Sequence, residues 1–444
     1  MFDVTKYGAV ADNLTDSTIG FQSAIDACAA AGGGIVNVPA GKYALDMTSL
    51  RSNVELHFEE GAEVRSLLKP VPKPGLKANE PTANSMRWLI GGEKITNAAI
   101  TGKGKIDGRG YEVFWPKDDG LEHPLYGQRY WPKLHRPKGM ICFRECQNLR
   151  IEDVTLIDPP CYTLWCLGCD DVLIRNIVVR ADLKGPNSDA LDIDCCSNVR
   201  ILDCDIISGD DCIAIKSDIN DLGYMKDCEN IHAENCKLCG TSCGIRLGYE
   251  GDGAIHDCSF KNIVMDKVMI GISMMVAISP NDGRGILIKH GPKITNCIFE
   301  DLDITAIQGF NFQYVKNPVD CPDPILGYMD QIMFRNLDVK ADRGSYLGGS
   351  PDVKIRSLCF ENVKMTLSGN MGRDFTEKVP YPYPVWNDLT WCGLPWAYFA
   401  RNAERLTFKN CSVTLNQAFG SWEKVPIKTD NVAECNADIS FERK

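Results

Sequence analysis

A short strand-like motif returns along most of this chain, and its spacing restricts the possible folds more than any other feature. Each copy alternates apolar and polar residues and then turns at Asn or Asp. The copies begin at Asn53, Asn148, Asp171, Asn198, Asn230, Lys293, Gln331, Ile355 and Arg405. From Asn148 the next three follow at intervals of 23, 27 and 32 residues. Alternation with period two predicts short half-buried strands, with turns and no helices between them.

Short strands at intervals of roughly 20–30 residues, with few hairpin turns, predict a solenoid. We therefore expect an all-β, single-stranded, right-handed parallel β-helix forming one domain over residues 1–444. A leucine-rich repeat would show a fixed Leu/Asn consensus and a propeller a longer blade signature, and neither pattern is present. The irregular intervals fit a β-helix, which tolerates insertions at its turns. The largest predicted loop insertions are residues 66–90, 108–138 and 370–395.

One helix is predicted, over residues 15–31. Thr15 or Asp16 can cap its beginning, and Gly32 to Gly34 end it. Phe21, Ile25 and Cys28 fall on one face at helical spacing. We expect this helix to cap the first coil and protect its otherwise exposed strand edge.

Net charge and the beginning of the chain restrict partners and location. A formal charge of −11 argues against a nucleic-acid groove, because phosphate binding requires an excess of Lys and Arg. No stretch approaches the roughly 20 apolar residues that span a bilayer, so no membrane contact is predicted. Met1 runs directly into Phe2-Asp3-Val4 with no basic and then apolar segment. This predicts a cytoplasmic protein, or a secreted or periplasmic one if a signal was removed.

The chain has 21 cysteines, a high and odd number. Seven of them recur at similar places in strand-like segments, where inward side chains would stack: Cys146, Cys204, Cys236, Cys258, Cys297, Cys359 and Cys411. Free cysteine is among the most buried residue types, so we predict mostly free thiols in a reducing compartment. A disulfide framework in an oxidising compartment is the alternative.

The candidate chemistry lies in segments 187–194, 209–217 and 243–248. Asp189 and Asp211 are 22 residues apart, close to one coil. Equivalent positions on successive coils lie about 4.8 Å apart, so the repeat predicts that Asp189 stacks beside Asp210 and Asp211. Clustered carboxylates raise the pKa of at least one of their number. Glycoside hydrolysis needs one carboxylic acid to protonate the leaving oxygen and one carboxylate to activate water.

Two other interpretations of these aspartates stay open. Asp is common at solenoid turns, so any one of the three could be structural. Clustered carboxylates on β-helices also bind calcium, which is the second alternative. The doublet that follows Gly209, with strand-like Cys212-Ile-Ala-Ile and Lys216 after it, favours catalysis. We therefore predict no metal and no cofactor.

Both acidic segments resemble the central motifs of glycoside hydrolase family 28, the polygalacturonases. The motifs are Asn187-Ser-Asp-Ala-Leu-Asp-Ile and Gly209-Asp-Asp-Cys-Ile-Ala-Ile-Lys-Ser. The segments that begin at Phe2 and Gly32 resemble the family's N-terminal part, and the segment from Gly393 resembles a late part of its bacterial members. The resemblance therefore spans nearly the whole chain.

The resemblance implies a pectin-lyase-like solenoid and hydrolysis by single displacement with inversion. It implies that Asp210 is the general acid. It also implies that Asp189 and Asp211 hold and activate the water.

Two motifs of the family are missing. Cys243-Gly244 stands where the family has His-Gly, and Ser273 and Met275 stand where it has Arg-Ile-Lys. In the polygalacturonases those basic residues grip the galacturonate carboxylate, so their replacement removes a charge-assisted clamp.

Four residues are the predicted substrate contacts. Arg246 and Lys216 can partly replace the missing clamp from neighbouring coils. Glu250, just past Arg246, can add a further carboxylate. Tyr314 falls near the substrate-contacting Tyr of the family once a gap is allowed.

The predicted function is that of a glycoside hydrolase acting on a pectin-related or other plant-cell-wall glycan. Exo-action on oligosaccharides is favoured because the carboxylate clamp is absent and long aromatic insertions can close one end of a groove. An oligosaccharide or polysaccharide is the expected partner, and the sequence does not indicate an oligomeric state. The alternatives are a lyase or epimerase on the same scaffold, and a carbohydrate-binding β-helix that has lost catalysis.

Overall fold

A computed structural model describes residues 2–68, 88–116, 122–123, 127–128, 130–132, 136, 138–278, 288–316, 325–368, 396–416 and 425–444. The chain divides into two compact units, Met1–Ile213 (unit 1) and Ala214–Lys444 (unit 2), and each is described by itself. A single domain over residues 1–444 stays a prediction. The predicted insertion 370–395 lies outside the described residues, as do residues 69–87 of the insertion 66–90 and part of the insertion 108–138.

Unit 1 consists almost entirely of short strands. Its helices are the 3-10 turns Val4–Tyr7 and Gly110–Glu112 and the α-helix Thr18–Ala30. Its strands are Phe2–Asp3, Asp12–Asp16, Gly34–Val38, Gly41–Leu45, Thr48–Ser49, Val54–Phe58, Ala62–Ser66, Ile90–Glu93, Thr96–Gly102, Lys105–Asp107, Phe114–Pro116, Glu122–His123, Gly127–Gln128, Tyr130–Pro132, Gly139–Arg144, Gln147–Glu152, Thr155–Ile157, Tyr162–Leu167, Asp170–Arg175, Val178–Arg180, Leu191–Asp194, Ser197–Leu202 and Asp205–Ser208.

Parallel pairing stacks the repeat in register, as a β-helix requires. One column of fully buried side chains runs through five successive strands: Leu56, Ile100, Ile151, Ile174 and Ile201. Each member sits two residues from the next inward position of its own strand, because side chains of a strand alternate between its two faces. The predicted parallel β-helix is confirmed in this unit.

The turns between strands explain why Asn and Asp recur at fixed places. Asn53, Asn97, Asn148 and Asn198 have φ angles of 62°, 54°, 54° and 58°. Asn is one of the few residues that adopt this left-handed region readily. The side chains also bond from coil to coil, since the amide of Asn97 donates to Asn53 at 2.9 Å and the amide of Asn148 donates to Asn97 at 2.7 Å.

The N-terminal helix is present, and its observed bounds differ from the predicted ones. It runs from Thr18 to Ala30, and Ser17 is its N-cap residue. Neither Thr15 nor Asp16 is the cap, because both belong to the strand Asp12–Asp16. The Asp16 carboxylate nevertheless accepts from the Thr18 backbone N–H at 3.0 Å. The predicted apolar face of Phe21, Ile25 and Cys28 is confirmed as fully buried, and it packs against the first strands of unit 1.

Unit 2 has longer strands than the repeat predicted. They are Cys228–Glu234, Lys237–Gly240, Cys243–Gly251, Ala254–Ile278, Lys293–Lys316, Met329–Arg343, Ser345–Gly348, Ile355–Leu367, Tyr398–Leu415 and Ile427–Arg443, preceded by Ile213–Ser217 and the short helix Ile219–Leu222. Ala254–Ile278 has 25 residues and Lys293–Lys316 has 24. They stay hydrogen-bonded around the corners of the coil, where Asp257, Asn262 and Lys267 take positive φ angles. The expectation of short strands throughout was therefore wrong here.

A column of five phenylalanines forms the core of unit 2. Phe260, Phe299, Phe334, Phe360 and Phe408 occupy equivalent positions on successive strands. Neighbouring rings stack with centroids 4.8, 5.1, 4.7 and 4.8 Å apart. The strand spacing of about 4.8 Å sets these distances, so the repeat itself produces the stack.

Six of the seven cysteines predicted to point inward are buried, whereas the prediction was wrong for Cys359, which lies between the inward residues Leu358 and Phe360 and is only partly buried. Every cysteine among the described residues is free, and most are buried. The thiols of Cys146, Cys204 and Cys236 each donate to the carbonyl two residues earlier, at 3.2, 3.2 and 3.3 Å. Cys258, Cys297 and Cys411 repeat this bond. Among the described residues, no helix is both long and apolar enough to cross a membrane.

Asp158 offers a test of how buried charge affects this fold. Burial, with Asp107 and Asp182 nearby, raises the pKa of Asp158 to about 6. The folded chain therefore binds this proton more tightly than the unfolded chain, and the ionised carboxylate destabilises the fold above about pH 6. Asp158→Asn should stabilise the protein by about 1 kcal/mol at pH 8, after discounting for the half-exposed side chain.

The gain from Asp158→Asn should vanish near pH 4, where the native carboxyl group is protonated in the folded protein. Asparagine tolerates the φ of 45° at this position. Thermal melting of both proteins at pH 8 and pH 4 measures the difference. An equal effect at the two pH values would contradict the electrostatic explanation.

Candidate active site

Two neighbouring loops of unit 1 carry the three predicted aspartates. One loop precedes the strand Leu191–Asp194 and contains Asp189, and the other follows Asp205–Ser208 and contains Asp210 and Asp211. The backbone joins them, because Ala190 N–H donates to the Asp211 carbonyl at 2.9 Å. One oxygen from each carboxylate lies within 4.8 Å of the other two. The predicted stacking of the three aspartates is therefore observed.

The three carboxylates differ in their access to solvent. Asp189 and Asp211 are 4% and 3% exposed, whereas Asp210 is only partly buried. One oxygen of Asp210 accepts from the Asn187 backbone N–H at 3.2 Å. A partly exposed carboxyl group beside two buried ones can exchange a proton with a bound ligand while its neighbours hold a small molecule between them.

Ser208 and Gly209 hold the two loops together. The Ser208 hydroxyl lies 2.8 Å from the Ser188 carbonyl and 3.0 Å from the Asp211 carbonyl, and it accepts from Asp210 N–H at 3.2 Å. A Cβ atom on Gly209 would lie 2.3 Å from both the Asp182 carbonyl and the Ser188 hydroxyl. Only glycine permits this approach, which explains the glycine before the aspartate doublet.

Two cations beside this site were missed at the sequence level. Arg136 and Lys138 belong to the predicted insertion 108–138, yet they are only 1% and 6% exposed. The Arg136 guanidinium donates to the Pro160 carbonyl at 2.9 Å, to the Pro186 carbonyl at 2.5 Å and to the Asn187 side chain at 2.7 Å. Arg136 therefore braces the segment that leads into Asp189. An irregular insertion has no periodicity, so the sequence offered no signal for this role.

Trp165 and Asp192 form a further buried pair in unit 1. They are register partners on neighbouring strands, and both are almost completely buried. The Lys138 ammonium lies 3.9 Å from the centroid of the Trp165 ring, within the range of a cation–π interaction.

Three of the four predicted substrate contacts come together in unit 2. Arg246 lies 3.1 Å from one oxygen of Glu250, and the Lys216 ammonium lies 3.7 Å from the other. Lys216, Arg246 and Glu250 are all buried. Tyr314 does not join them, because it is in register with Val276 and its hydroxyl accepts from Met329 N–H at 3.0 Å. Burial raises the pKa of Tyr314 well above its ordinary value.

The three aspartates are also the only group of the described residues arranged to hold a metal ion. Carboxylate oxygens are the ligands that calcium and magnesium prefer. The geometry therefore fits both acid–base chemistry and the binding of a hard cation.

Comparison with known proteins agrees with the motifs. Residues 28–226 match the model described as Glycosyl hydrolases family 28. A probable polygalacturonase of Vitis vinifera is 30% identical over 301 residues, which cover 64% of this chain and 58% of that protein. The chain spans about 60% of the length of the curated relatives it matches first.

Solved structures share the fold. An exopolygalacturonase from Thermotoga maritima matches with a TM-score of 0.65 and 20% identity, over 82% of this chain and 86% of that one. The family 28 exopolygalacturonase of Yersinia enterocolitica matches with a TM-score of 0.69 and 17% identity, over 98% and 77%. At such low identities the likeness shows the fold alone, and it identifies the coils as those of a right-handed parallel β-helix.

Proposed function

Since this chain is a polygalacturonase-like relative of glycoside hydrolase family 28, we propose that it hydrolyses a glycosidic bond in a pectin-related or other plant-cell-wall glycan. The observation that carries the proposal is the cluster of Asp189, Asp210 and Asp211, with oxygens within 4.8 Å of one another. Such a cluster supplies both the acid and the base that glycoside hydrolysis requires. No cofactor is part of this mechanism.

The proposed role of each aspartate is assigned from the solvent exposure of its carboxyl group. Asp210, the most accessible, protonates the glycosidic oxygen as the bond to the leaving sugar breaks. Asp189 and Asp211 hold a water molecule and take its proton as its oxygen attacks the anomeric carbon. The proposed sugar contacts are Lys216, Arg246 and Glu250, to which Tyr314 is added by sequence position alone.

Exo-action on oligosaccharides is the proposed mode of cleavage. It is supported by the missing carboxylate clamp and by Arg136, which belongs to the predicted insertion 108–138 and binds Asn187 in the loop that carries Asp189. An exo-acting enzyme should release a single small product from the first moments of the reaction, which chromatography of early samples measures.

The stereochemical part of the proposal is inversion, and its support is the family resemblance. The alternative is retention, in which one carboxylate attacks the anomeric carbon and forms a covalent intermediate that water then hydrolyses. Proton NMR of the first product formed from a pectic oligosaccharide decides between them. Inversion predicts the anomer opposite to that of the substrate, and the same anomer would replace single displacement by a covalent intermediate.

A lyase that uses calcium is the second candidate, because the same three carboxylates could hold a cation. If the chain is a hydrolase, a chelator should leave the rate of reducing-end release unchanged. No unsaturated product should then absorb near 235 nm. Activity that is lost with chelator and restored by calcium, with rising absorbance, would identify a lyase.

A further inference from the structure

A row of side chains in unit 2 includes two polar residues, Ser273 and Asn311, that have no place in the mechanism above. Arg246, Ser273 and Asn311 are register partners on three successive strands, and Tyr346 and Phe399 continue the row on the next two. Neighbouring members are therefore about 4.8 Å apart. Ile272 and Met274, on either side of Ser273 along its strand, are fully buried core residues, so Ser273 projects from the opposite face.

Ser273 is the unusual member of the row. Its side chain is 0% exposed, and among the described residues its hydroxyl has no hydrogen-bond partner. Buried polar groups in native proteins are nearly always paired, and an exception calls for a ligand or a bound water. A hydroxyl group can both donate and accept, which matches the hydroxyl groups of a sugar.

The neighbour of Ser273 on one side is fixed by a chain of amides. The Gln313 side chain donates to Asn311, the Asn311 amide donates to Gln308 at 2.8 Å, and Gln308 donates to the Gly344 carbonyl at 2.9 Å. This direction of donation sets which end of the Asn311 amide is oxygen and which is nitrogen. Asn311 therefore presents a fixed pattern of donor and acceptor, as a specific sugar contact requires.

The neighbour on the other side is a cation already matched by a carboxylate. Arg246 lies 3.1 Å from one Glu250 oxygen and 3.5 Å from the other. A guanidinium has five N–H donors, so Arg246 can bind Glu250 and still donate to an uncharged oxygen. A second carboxylate, from an acidic sugar, would lie close to Glu250 and be repelled by it.

The remaining members of the row, and the position two residues after Ser273, are also uncharged. Met275, in register with Gln313, is a buried thioether at a position where the family resemblance leads one to expect a cation. The Phe399 ring lies 5.9 Å from the Tyr346 ring and 5.3 Å from the Trp396 ring, measured between centroids. Aromatic faces of this kind stack on the C–H faces of sugars.

From these contacts we infer that the row Arg246–Ser273–Asn311 binds a neutral sugar unit, with Ser273 hydrogen-bonding one of its hydroxyl groups. This inference rests on the proposed action on a pectin-related glycan and names the class of sugar bound. The inferred sugar unit has no carboxylate, and it lies where a polygalacturonase-like protein would hold galacturonate.

Binding of two matched oligosaccharides tests the inference. The probes are α-1,4-linked hexagalacturonide and the hexagalactoside obtained by reducing its carboxyl groups, which differ only in charge and in that one group. They are titrated calorimetrically into the Asp210→Asn variant, so that cleavage does not interfere. We expect the neutral hexagalactoside to bind at least 10-fold more tightly. Tighter binding of hexagalacturonide, or binding of neither probe, would overturn the inference.

Ser273→Ala identifies the residue responsible. In the Asp210→Asn background it should weaken hexagalactoside binding about 3- to 10-fold, the value of one neutral hydrogen bond, and leave hexagalacturonide binding unchanged. Its denaturation midpoint should be unchanged or higher, because the lost hydroxyl had no partner in the fold. A purely structural serine would instead lower the midpoint and spare binding. Ser440→Ala, at an exposed strand position of the same unit, is the control.

Failure of the inference and failure of the proposed function give different results. If wild type cleaves hexagalacturonide in preference to the neutral probe, the hydrolase proposal stands and the inference falls. If wild type cleaves neither probe but binds hexagalactoside selectively, the inference stands. The chain is then a carbohydrate-binding β-helix without catalysis.

Discussion

Asp210→Asn is expected to lower kcat by about 10²–10⁴ on any glycan that the wild-type protein cleaves, the usual contribution of general acid–base catalysis. An amide cannot give up a proton to the glycosidic oxygen, so the leaving sugar must depart as an alkoxide. KM should change little, because the amide keeps the size of the side chain and can still accept from Asn187 N–H. Steady-state release of reducing ends measures both constants.

A matched variant separates chemistry from folding. Asp203 is an exposed turn residue with a φ of 57°, and Asp203→Asn makes the same chemical change seven residues earlier. It should retain full kcat. Both variants should melt at the wild-type temperature, since asparagine accepts the same conformations. Wild-type kcat in Asp210→Asn would remove Asp210 from the mechanism and leave the aspartate cluster with a structural or cation-binding role.

The repeat made most of the fold predictable. Alternation with period two defines which side chains point inward, and equal spacing then stacks them, as the column from Leu56 to Ile201 shows. The strand Thr96–Gly102 was overlooked because Ala98 and Ala99 blur the alternation. It nevertheless belongs to the column through Ile100. Its pairing with the strands of the coils before and after it therefore makes this segment a strand, although its own sequence shows only weak alternation.

The long strands of unit 2 show a second limit of sequence patterns. The Asn or Asp in each copy of the motif was expected to end its strand, yet the chain stays paired on both sides of Asn296. Positive φ bends the backbone without breaking the hydrogen-bonded ladder when the neighbouring strand bends at the same place. Asn296, whose amide donates to the Asp257 carboxylate, shows how one corner supports the next.

The candidate site was predictable only where it depends on the repeat. Asp189 lies about one coil before Asp210 and Asp211, so the spacing alone predicts that the three carboxylates lie close together. Arg136 reaches the same place from an insertion, and no spacing rule connects it with Asn187, which it binds. Tyr314 was assigned by likeness across a gap, and its hydroxyl is bonded to the backbone of Met329.

Phe334→Ala is expected to cause a large loss of stability, about 3–5 kcal/mol. Phe334 is fully buried at the centre of the unit 2 core and contacts four other rings, those of Phe299, Phe310, Phe312 and Phe360. Removing its ring leaves a cavity between two strands whose positions the ladder fixes on both sides. The coil therefore cannot collapse to fill the space, and the cost should lie at the upper end for a buried aromatic residue.

Urea denaturation of the wild type and of Phe334→Ala measures this difference as a shift in midpoint at unchanged slope. Phe441→Ala is the matched control, because Phe441 lies half-buried on the last strand, Ile427–Arg443, outside the ring column. It should cost far less, because little apolar surface is buried there. Hydrogen exchange should also rise first at strands Lys293–Lys316 and Ile355–Leu367, which flank Phe334. A loss below about 1 kcal/mol in Phe334→Ala would show that the coils of unit 2 can shift past one another. The stacked phenylalanines would then follow from the repeat without holding it together.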